Sequence, residues 1–299
     1  MKRLSVLWIA MLLLLCACGA EETNDPQPPL PEEPVVMKSL TLECSAPAGS
    51  GGGFPEAAKG FGAELQRALA AEGVEVEALS VTFSRVDAAT ADALESGGVT
   101  LGLMGIGGAL VENGEVLLAL NRNADDLSCG LLIAGESEYG KQLAWRTKTT
   151  PLTAEEWSRA DIGAVEGDRV LLAAAQQLLH ESAGYTLEKF ISYDTVEELL
   201  AAADCGDVDA AIVRAEDAEE FWALTESAVL YEGTVVLSSA AAELQGEHTR
   251  DALTRAFLAA AKTDAGKALL EQYACSDFAA VNEEEIEAMR SLAMWEELG

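Results

Sequence analysis

From Leu40 onward, short apolar runs trade places with stretches in which apolar residues recur every three or four positions. Leu40 to Ser45 reads as a strand, and Ala46 to Phe54 (APAGSGGGF) as a glycine-rich loop. Over Glu56 to Glu72, residues Ala57, Phe61, Leu65, Ala68 and Leu69 fall at helical spacing. Val74 to Phe83 alternates as a strand, and Asp87 to Ser96 reads as a helix stopped by Gly97-Gly98. Val99 to Met104 and Val116 to Leu120 are further strands. This rhythm predicts a parallel sheet covered by helices.

A second unit follows the same grammar. Strands are expected at Gly130 to Ala134, Asp161 to Val165, Phe190 to Tyr193 and Val208 to Val213. Helices are expected at Thr153 to Trp157, Arg169 to His180, Thr195 to Ala203 and Ala215 to Leu224. Two short strands, Ala228 to Tyr231 and Thr234 to Leu237, lead into a helical tail. That tail covers Thr249 to Ala261, Ala265 to Tyr273 and Glu283 to Glu297. The pattern is two α/β units and a returning tail, without an internal repeat.

Length and composition narrow the function. The 299 residues allow one large or two modest domains. A hydrophobic content of 49% excludes wholesale disorder. With 51 Asp and Glu against 19 Lys and Arg, the net charge of −32 excludes a general nucleic-acid binder. The same charge makes direct contact between the body and an anionic membrane unfavourable.

The leader is a separate signal. Lys2 and Arg3 form a basic n-region, and the apolar run from Leu4 to Leu15 is too short to span a bilayer. Leu15-Cys16-Ala17-Cys18 resembles the lipobox of bacterial lipoproteins. The resemblance implies a signal peptide over residues 1–17, cleavage before Cys18 and diacylglycerol on its sulfur. The competing reading is an ordinary secretory signal with an incidental cysteine. Loss of Lys2 and Arg3 takes the net charge from −32 to −34. Residues 19–36 hold five of the eight prolines and five acidic residues, without periodicity. With Cys18 they read as an extended spacer, reaching roughly 55 Å in the polyproline conformation. No later run approaches transmembrane length, so the body from Met37 onward is expected to be soluble. Cys44, Cys129, Cys205 and Cys275 are an even set, compatible with disulfides or with buried thiols. They show no C-x-x-C spacing and only two histidines accompany them, so no metal site is expected.

Several segments resemble the phosphonate-type substrate-binding proteins of ABC transporters. They are Ser192-Tyr193-Asp194-Thr195-Val196-Glu197-Glu198-Leu199-Leu200 and Gly206-Asp207-Val208-Asp209-Ala210-Ala211-Ile212-Val213, then Val235-Val236-Leu237-Ser238-Ser239. Thr263-Asp264-Ala265-Gly266-Lys267-Ala268-Leu269-Leu270 and Phe278-Ala279-Ala280-Val281 resemble that family's closing segment. The resemblance implies an α/β, two-lobe periplasmic-binding-protein type II (Venus-flytrap) fold with two crossing strands. Lobe one would be 37–124 plus 235–299, and lobe two 125–234. It further implies a monomer that holds a small solute between the lobes and delivers it to an ABC transporter permease. No cofactor is implied, and the membrane is met through the lipid anchor alone.

If the resemblance holds, five segments face the solute. In the first lobe these supply Ser45, Gly51 and Gly52, then Met104, Gly105, Ile106 and Gly107. In the second they supply Glu166, Asp168 and Arg169, with Tyr193 and Arg214. Gly49, Gly51, Gly52 and Gly53 either let backbone N–H groups approach a ligand or form a flexible solvent loop. Gly105-Ile106-Gly107-Gly108 lacks the third glycine of a dinucleotide turn, because Leu110 stands there. In phosphonate binders the loop matching Glu166-Gly167-Asp168-Arg169 is rich in Ser and Thr; here it carries two carboxylates. Asp168 can cap the following helix and satisfy the donors an anion would use. A phosphonate or phosphate is therefore not the expected solute; a carboxylate-bearing or neutral polar metabolite is preferred. Arg214 could clamp a carboxylate or pair with nearby Glu216 or Asp217. Tyr193 could touch a ligand or be core, Asp209 reads as structural, and Trp145 and Trp157 could cover the cleft or pack.

Nothing in the chain requires catalysis. G-x-S-x-G, H-E-x-x-H and P-loop patterns are missing, and His180 and His248 read as structural or solvated. The rival to transport is a sensory or structural lipoprotein with a degenerate binding cleft.

Overall fold

The computed structural model describes residues 35–47, 50–121, 128–214, 217, 224–229, 231–244 and 246–298. The leader, Cys18 and the spacer up to Pro34 lie outside the described residues, as does most of the helix expected over Ala215 to Leu224.

The first sheet grows from the strands that the alternating pattern marks. It has six strands in the order β13-β6-β12-β5-β2-β4. These are β2 (Leu40–Ser45), β4 (Leu79–Ser84), β5 (Leu101–Met104), β6 (Gly114–Asn121), β12 (Gly233–Ser238) and β13 (Asp277–Ala280). The run expected as one strand over Val74 to Phe83 is broken. Its first part, β3 (Val74–Val76), pairs in parallel with β1 (Val35–Met37) in a separate two-stranded sheet. Helix α1 (Phe54–Ala71) buries Phe54, Phe61, Leu65 and Leu69 against the first sheet. α2 (Asp87–Glu95) covers part of the other face through Leu94, which packs with Val99, Met104, Val111 and Val236.

The second sheet has five strands in the order β11-β7-β10-β8-β9. They are β7 (Ser128–Ile133), β8 (Ile162–Val165), β9 (Ile191–Tyr193), β10 (Ala210–Arg214) and β11 (Leu224–Val229). Its helices are α3 (Glu138–Thr147), α4 (Ala154–Trp157), α5 (Arg169–Ala183) and α6 (Val196–Cys205). Each starts on a side-chain cap from Ser137, Thr153, Asp168 or Thr195. α6 ends on Gly206 at φ +78°, a conformation that glycine adopts without strain. The tail is α7 (Glu247–Ala261), α8 (Asp264–Gln272) and α9 (Glu283–Leu298). α7 and α8 pack on α1, completing the first core around Phe257, Leu269 and Leu270.

Both sheets are mixed, not parallel throughout. β2, β4 and β5 are mutually parallel, but β12 runs against β5 and β6, and β13 against β6. In the second sheet β8, β9 and β10 are parallel, while β7 runs against β10 and β11. The reason is topological: the chain passes between the sheets twice, from β6 to β7 and from β11 to β12. A strand that arrives from the other sheet must enter where its predecessor left. Thus Thr234, at the start of β12, pairs with Met104 at the end of β5, and Cys129 of β7 pairs with Arg214 at the end of β10. Both passages therefore lie at the carboxyl edges of the parallel strands, the edges where open α/β sheets bind ligands.

α9 does not stay with the first sheet. Met289, Leu292 and Ala293 share one core with Ile106, Ala109 and Ala119 in or near the first sheet, with Leu131 and Ile212 of the second sheet, and with Leu171 of α5. Arg290 Nε also donates to the Ala109 carbonyl at 3.2 Å. Among the described residues, no helix is long and apolar enough to cross a membrane.

Candidate functional site

A polar seam runs along the two carboxyl edges. In the first sheet, Gly105 follows β5 and its N–H donates to Asp87 Oδ2 on α2 at 3.1 Å. The Gly105 carbonyl accepts from Thr234 Oγ1 at 3.1 Å, which ties the turn to the start of β12. Two residues earlier, in the passage between the sheets, Glu232 accepts from Arg214 Nη1 at 2.6 Å. Arg214 closes β10, and its other arm, Nη2, donates to Asp168 Oδ2 at 2.7 Å. Asp168 Oδ1 in turn accepts the Leu171 N–H at 3.2 Å and caps α5. The guanidinium is buried, at 9% side-chain exposure, with Asp168 at 23% and Glu232 at 13%. Burial alone would lower the Arg214 pKa, but the two carboxylates outweigh it and hold the pKa above the ordinary arginine value.

The partners of Arg214 are thus Asp168 and Glu232, not the sequence neighbours Glu216 and Asp217. Both of its faces are committed to the chain's own acids, which leaves it no free fork for a solute carboxylate. The helix cap expected of Asp168 is present. Two N–H groups at these edges, those of Gly105 and Leu171, donate to Asp87 and Asp168.

The other candidate residues are dispersed. Met104 is 1% exposed and Ile106 is fully buried, so both side chains serve the core. Gly107 has open space where a side chain would stand, whereas a Cβ at Gly105 would strike Asp87. Ser45 is buried at the end of β2, and its carbonyl accepts from Tyr273 Oη at 2.7 Å. Glu166 is exposed and accepts from Ser192 Oγ at 3.2 Å. Arg169 turns to α9, where it donates to the Glu296 carbonyl at 3.3 Å. Tyr193 packs with Leu199 and Val213, and burial raises its hydroxyl pKa, with Asp207 adding to the effect. Asp209 holds structure: it accepts from Ser137 Oγ and from the Asp161 N–H at 2.8 Å. Trp157 is core, while Trp145 is 68% exposed.

Gly51 and Gly52 open on a groove of about 560 Å³ at the carboxyl ends of β2 and β4. Its apolar wall is Ala46, Pro47, Phe54, Pro55 and Phe83; Ser50, Ser84 and Arg85 supply polar groups. Phe83 meets Phe54 edge-on at 6.2 Å, and Phe54 meets Tyr273 at 5.8 Å. Arg85 is exposed and has no ion pair or hydrogen bond among the described residues. Sequence reasoning passed over it, since one arginine after a strand carries no motif. A second groove of about 470 Å³ lies around Tyr139 and Trp145 on the second unit. There Arg146 pairs with Glu156 at 3.0 Å and Arg159 lies over the Tyr139 ring at 5.3 Å.

The disulfide question has a partial answer. Cys44 is a buried thiol, Cys205 is an exposed one, and the Cys275 thiol donates to the Tyr273 carbonyl at 3.2 Å. Burial, aided by Glu43, pushes the Cys44 thiol far above its usual range. Among the described residues, no group of three or more His, Cys, Asp or Glu could hold a metal ion.

No family model matches the chain, and no curated protein matches it. Solved structures do. The XAC2383 protein of Xanthomonas citri, solved with ATP bound, matches with a TM-score of 0.51 at 11% identity, over 88% of this chain and 98% of that one. A TctC solute binding protein from Polaromonas matches with a TM-score of 0.50 at 11% identity, over 87% and 97%. The chain has the type II periplasmic-binding-protein fold. PhnD1 of Prochlorococcus marinus, in complex with methylphosphonate, is also among the neighbours, with a TM-score of 0.46 at 12% identity over 86% and 97%. At such identities the likeness establishes the fold and leaves the solute open.

Proposed function

We propose that this chain is a lipid-anchored extracytoplasmic solute-binding protein, holding a small solute between two lobes and delivering it to an ABC permease. The observation that carries the reading is the meeting of both sheets' carboxyl edges at the two passages of the chain. Clefts of this kind are preferred ligand sites. The solute-binding role of the Polaromonas neighbour and the ATP bound by the Xanthomonas one accord with it. The basic n-region, the short apolar run and the Leu15-Cys16-Ala17-Cys18 pattern support the anchor, and the proline-rich spacer the display of the body.

The lobes would be 37–124 plus 235–299, and 125–234, with α9 lying over both. Hinge closure would follow from solute contacts made in each lobe, which favour the closed form. The solute is neither a phosphonate nor a phosphate. Asp87 and Asp168 already occupy the Gly105 and Leu171 N–H groups, and a dianion would meet their charge at close range. A sensory lipoprotein is the second reading; it is favoured by Arg214, whose two faces are taken by the chain's own acids.

The test is calorimetry on the full chain with methylphosphonate and inorganic phosphate, beside a thermal-shift panel of carboxylates, amino acids, sulfonates and nucleobases. A solute at a thousandfold its dissociation constant stabilises by about 4 kcal/mol. In a body this size that raises the melting temperature on the order of ten degrees. Tight binding of either phosphorus compound refutes the solute assignment, and a panel without any shift favours the sensory reading.

A further inference from the structure

Arg85 is the anomaly of this surface. The chain carries 51 acidic residues against 19 basic ones, and most of its described arginines meet a carboxylate. Arg67, Arg146, Arg169, Arg214, Arg250, Arg255 and Arg290 each meet one or two acids. Arg159 rests on an aromatic ring. Among the described arginines, Arg85 alone has neither. The nearest acid along the chain, Asp87, is committed to the Gly105 N–H.

The anomaly borders a built surface. The Lys59 ammonium stands 5.9 Å from the centroid of the Phe83 ring, and it too has no carboxylate partner among the described residues. Phe83 shares a face of β4 with Leu79 and Val81, which pack on the first core, yet it is 37% exposed at the strand's end, and Val86 beyond the strand is 59% exposed. The groove between Phe83, Phe54 and the two prolines is within the size range of small-molecule sites. One polar group is used up, since Ser84 Oγ lies 3.2 Å from the Val86 carbonyl and 2.6 Å from Thr90 Oγ1.

We infer that this groove takes a small monocarboxylate with a flat apolar body, its carboxylate on Arg85 and its body against Phe83. The inference rests on the solute-binding reading above and specifies the solute for it. A planar guanidinium matches a carboxylate through two parallel hydrogen bonds. The exposed phenylalanine offers offset or edge contact to a flat ring. Two cations without an ion-pair partner among the described residues attract a monoanion, whereas a phosphorus dianion needs further N–H donors, and those of Gly105 and Leu171 are taken. The carboxylate clamp, one of the two roles open to Arg214 from the sequence, is thus assigned to Arg85.

The test uses the full chain with 4-fluorophenylacetate and its neutral isostere 4-fluorophenylacetamide, followed by fluorine NMR. The acid binds and the amide binds at least tenfold more weakly. Arg85→Gln weakens the acid by ten- to a hundredfold, in keeping with loss of a charged hydrogen-bonded pair. Arg85→Lys retains part of the affinity, and Phe83→Ala weakens acid and amide alike. Acid binding that Arg85→Gln leaves unchanged overturns the inference, as does equal binding of acid and amide. If the acid fails while another compound of the thermal-shift panel binds, the inference falls and the solute-binding reading stands. If the acid and the whole panel fail, both fall.

Discussion

Replacing Arg214 with methionine should destabilise the folded chain by about 3 kcal/mol. The side chain makes two charged hydrogen bonds, 2.7 Å to Asp168 and 2.6 Å to Glu232. Bonds to charged groups contribute about 1.5–3 kcal/mol each, so their sum bounds the loss at about 6. Water reaches the 23%-exposed Asp168 and the 13%-exposed Glu232, and Asp168 keeps its Leu171 N–H, so the lower half of that range applies. Methionine fills much of the volume of the arginine stem, which keeps the packing loss small. At about 2–4 °C per kcal/mol for a body of this size, the melting temperature falls by about 6–12 °C. Calorimetry or circular dichroism reads this directly. Adding Asp168→Asn and Glu232→Gln to the variant should recover most of the loss, because the two carboxylates that faced the guanidinium are then neutral. Arg67→Met serves as the comparison: Arg67 is 70% exposed, and its pair with Glu64 should contribute less than about 0.5 kcal/mol. A loss below about 1 kcal/mol for Arg214→Met, or a triple variant no more stable than the single one, would refute the account of the seam as a desolvated charge cluster.

Two further outcomes follow from single contacts. Ser137→Ala removes both the cap on the Gly140 N–H and a partner of buried Asp209, so urea unfolding should show a loss of about 2 kcal/mol; an unchanged midpoint would contradict that role. Burial, with Glu285 adding to it, pushes the Tyr231 hydroxyl up to about 12, and burial also places Tyr273 well above the ordinary 10. Both stay protonated in the folded chain where the unfolded chain ionises, so stability is intact below pH 10 and falls as pH rises from there toward 12. The urea midpoint should drop between about pH 10 and pH 12, and by less in Tyr231→Phe; a flat profile would contradict the assignment.

The backbone was largely legible in the residues, because periodicity and caps act over three or four positions. Phe61, Leu65 and Leu69 mark α1, and Asp168 and Thr195 mark the starts of α5 and α6. Elements with weak local signals escaped: α3 buries only Gly140 and Leu143, and β1 and β13 are three and four residues long. The strand expected over Ala228 to Tyr231 lies at Leu224–Val229, and the Val74 to Phe83 run serves two sheets. Which sheet a short strand joins depends on partners far along the chain, as Thr234 with Met104 shows.

Side-chain alliances were decided by tertiary structure alone. Arg214 has acids two and three residues away, yet it bonds to one 46 positions earlier and one 18 later, because a strand end projects toward whatever the neighbouring elements bring. Asp87 meets Gly105 across 18 residues for the same reason. Composition made Arg85 look like one cation among many. Only the fold, by committing Asp87 to Gly105 and setting Lys59 over the Phe83 ring, leaves that charge unanswered. The sequence by itself determined the order of strands and helices, the acidity and the leader, all of which are properties of neighbours in the chain. Tertiary structure decided which donors and charges remain open to a solute, because that depends on residues brought together from distant parts of it.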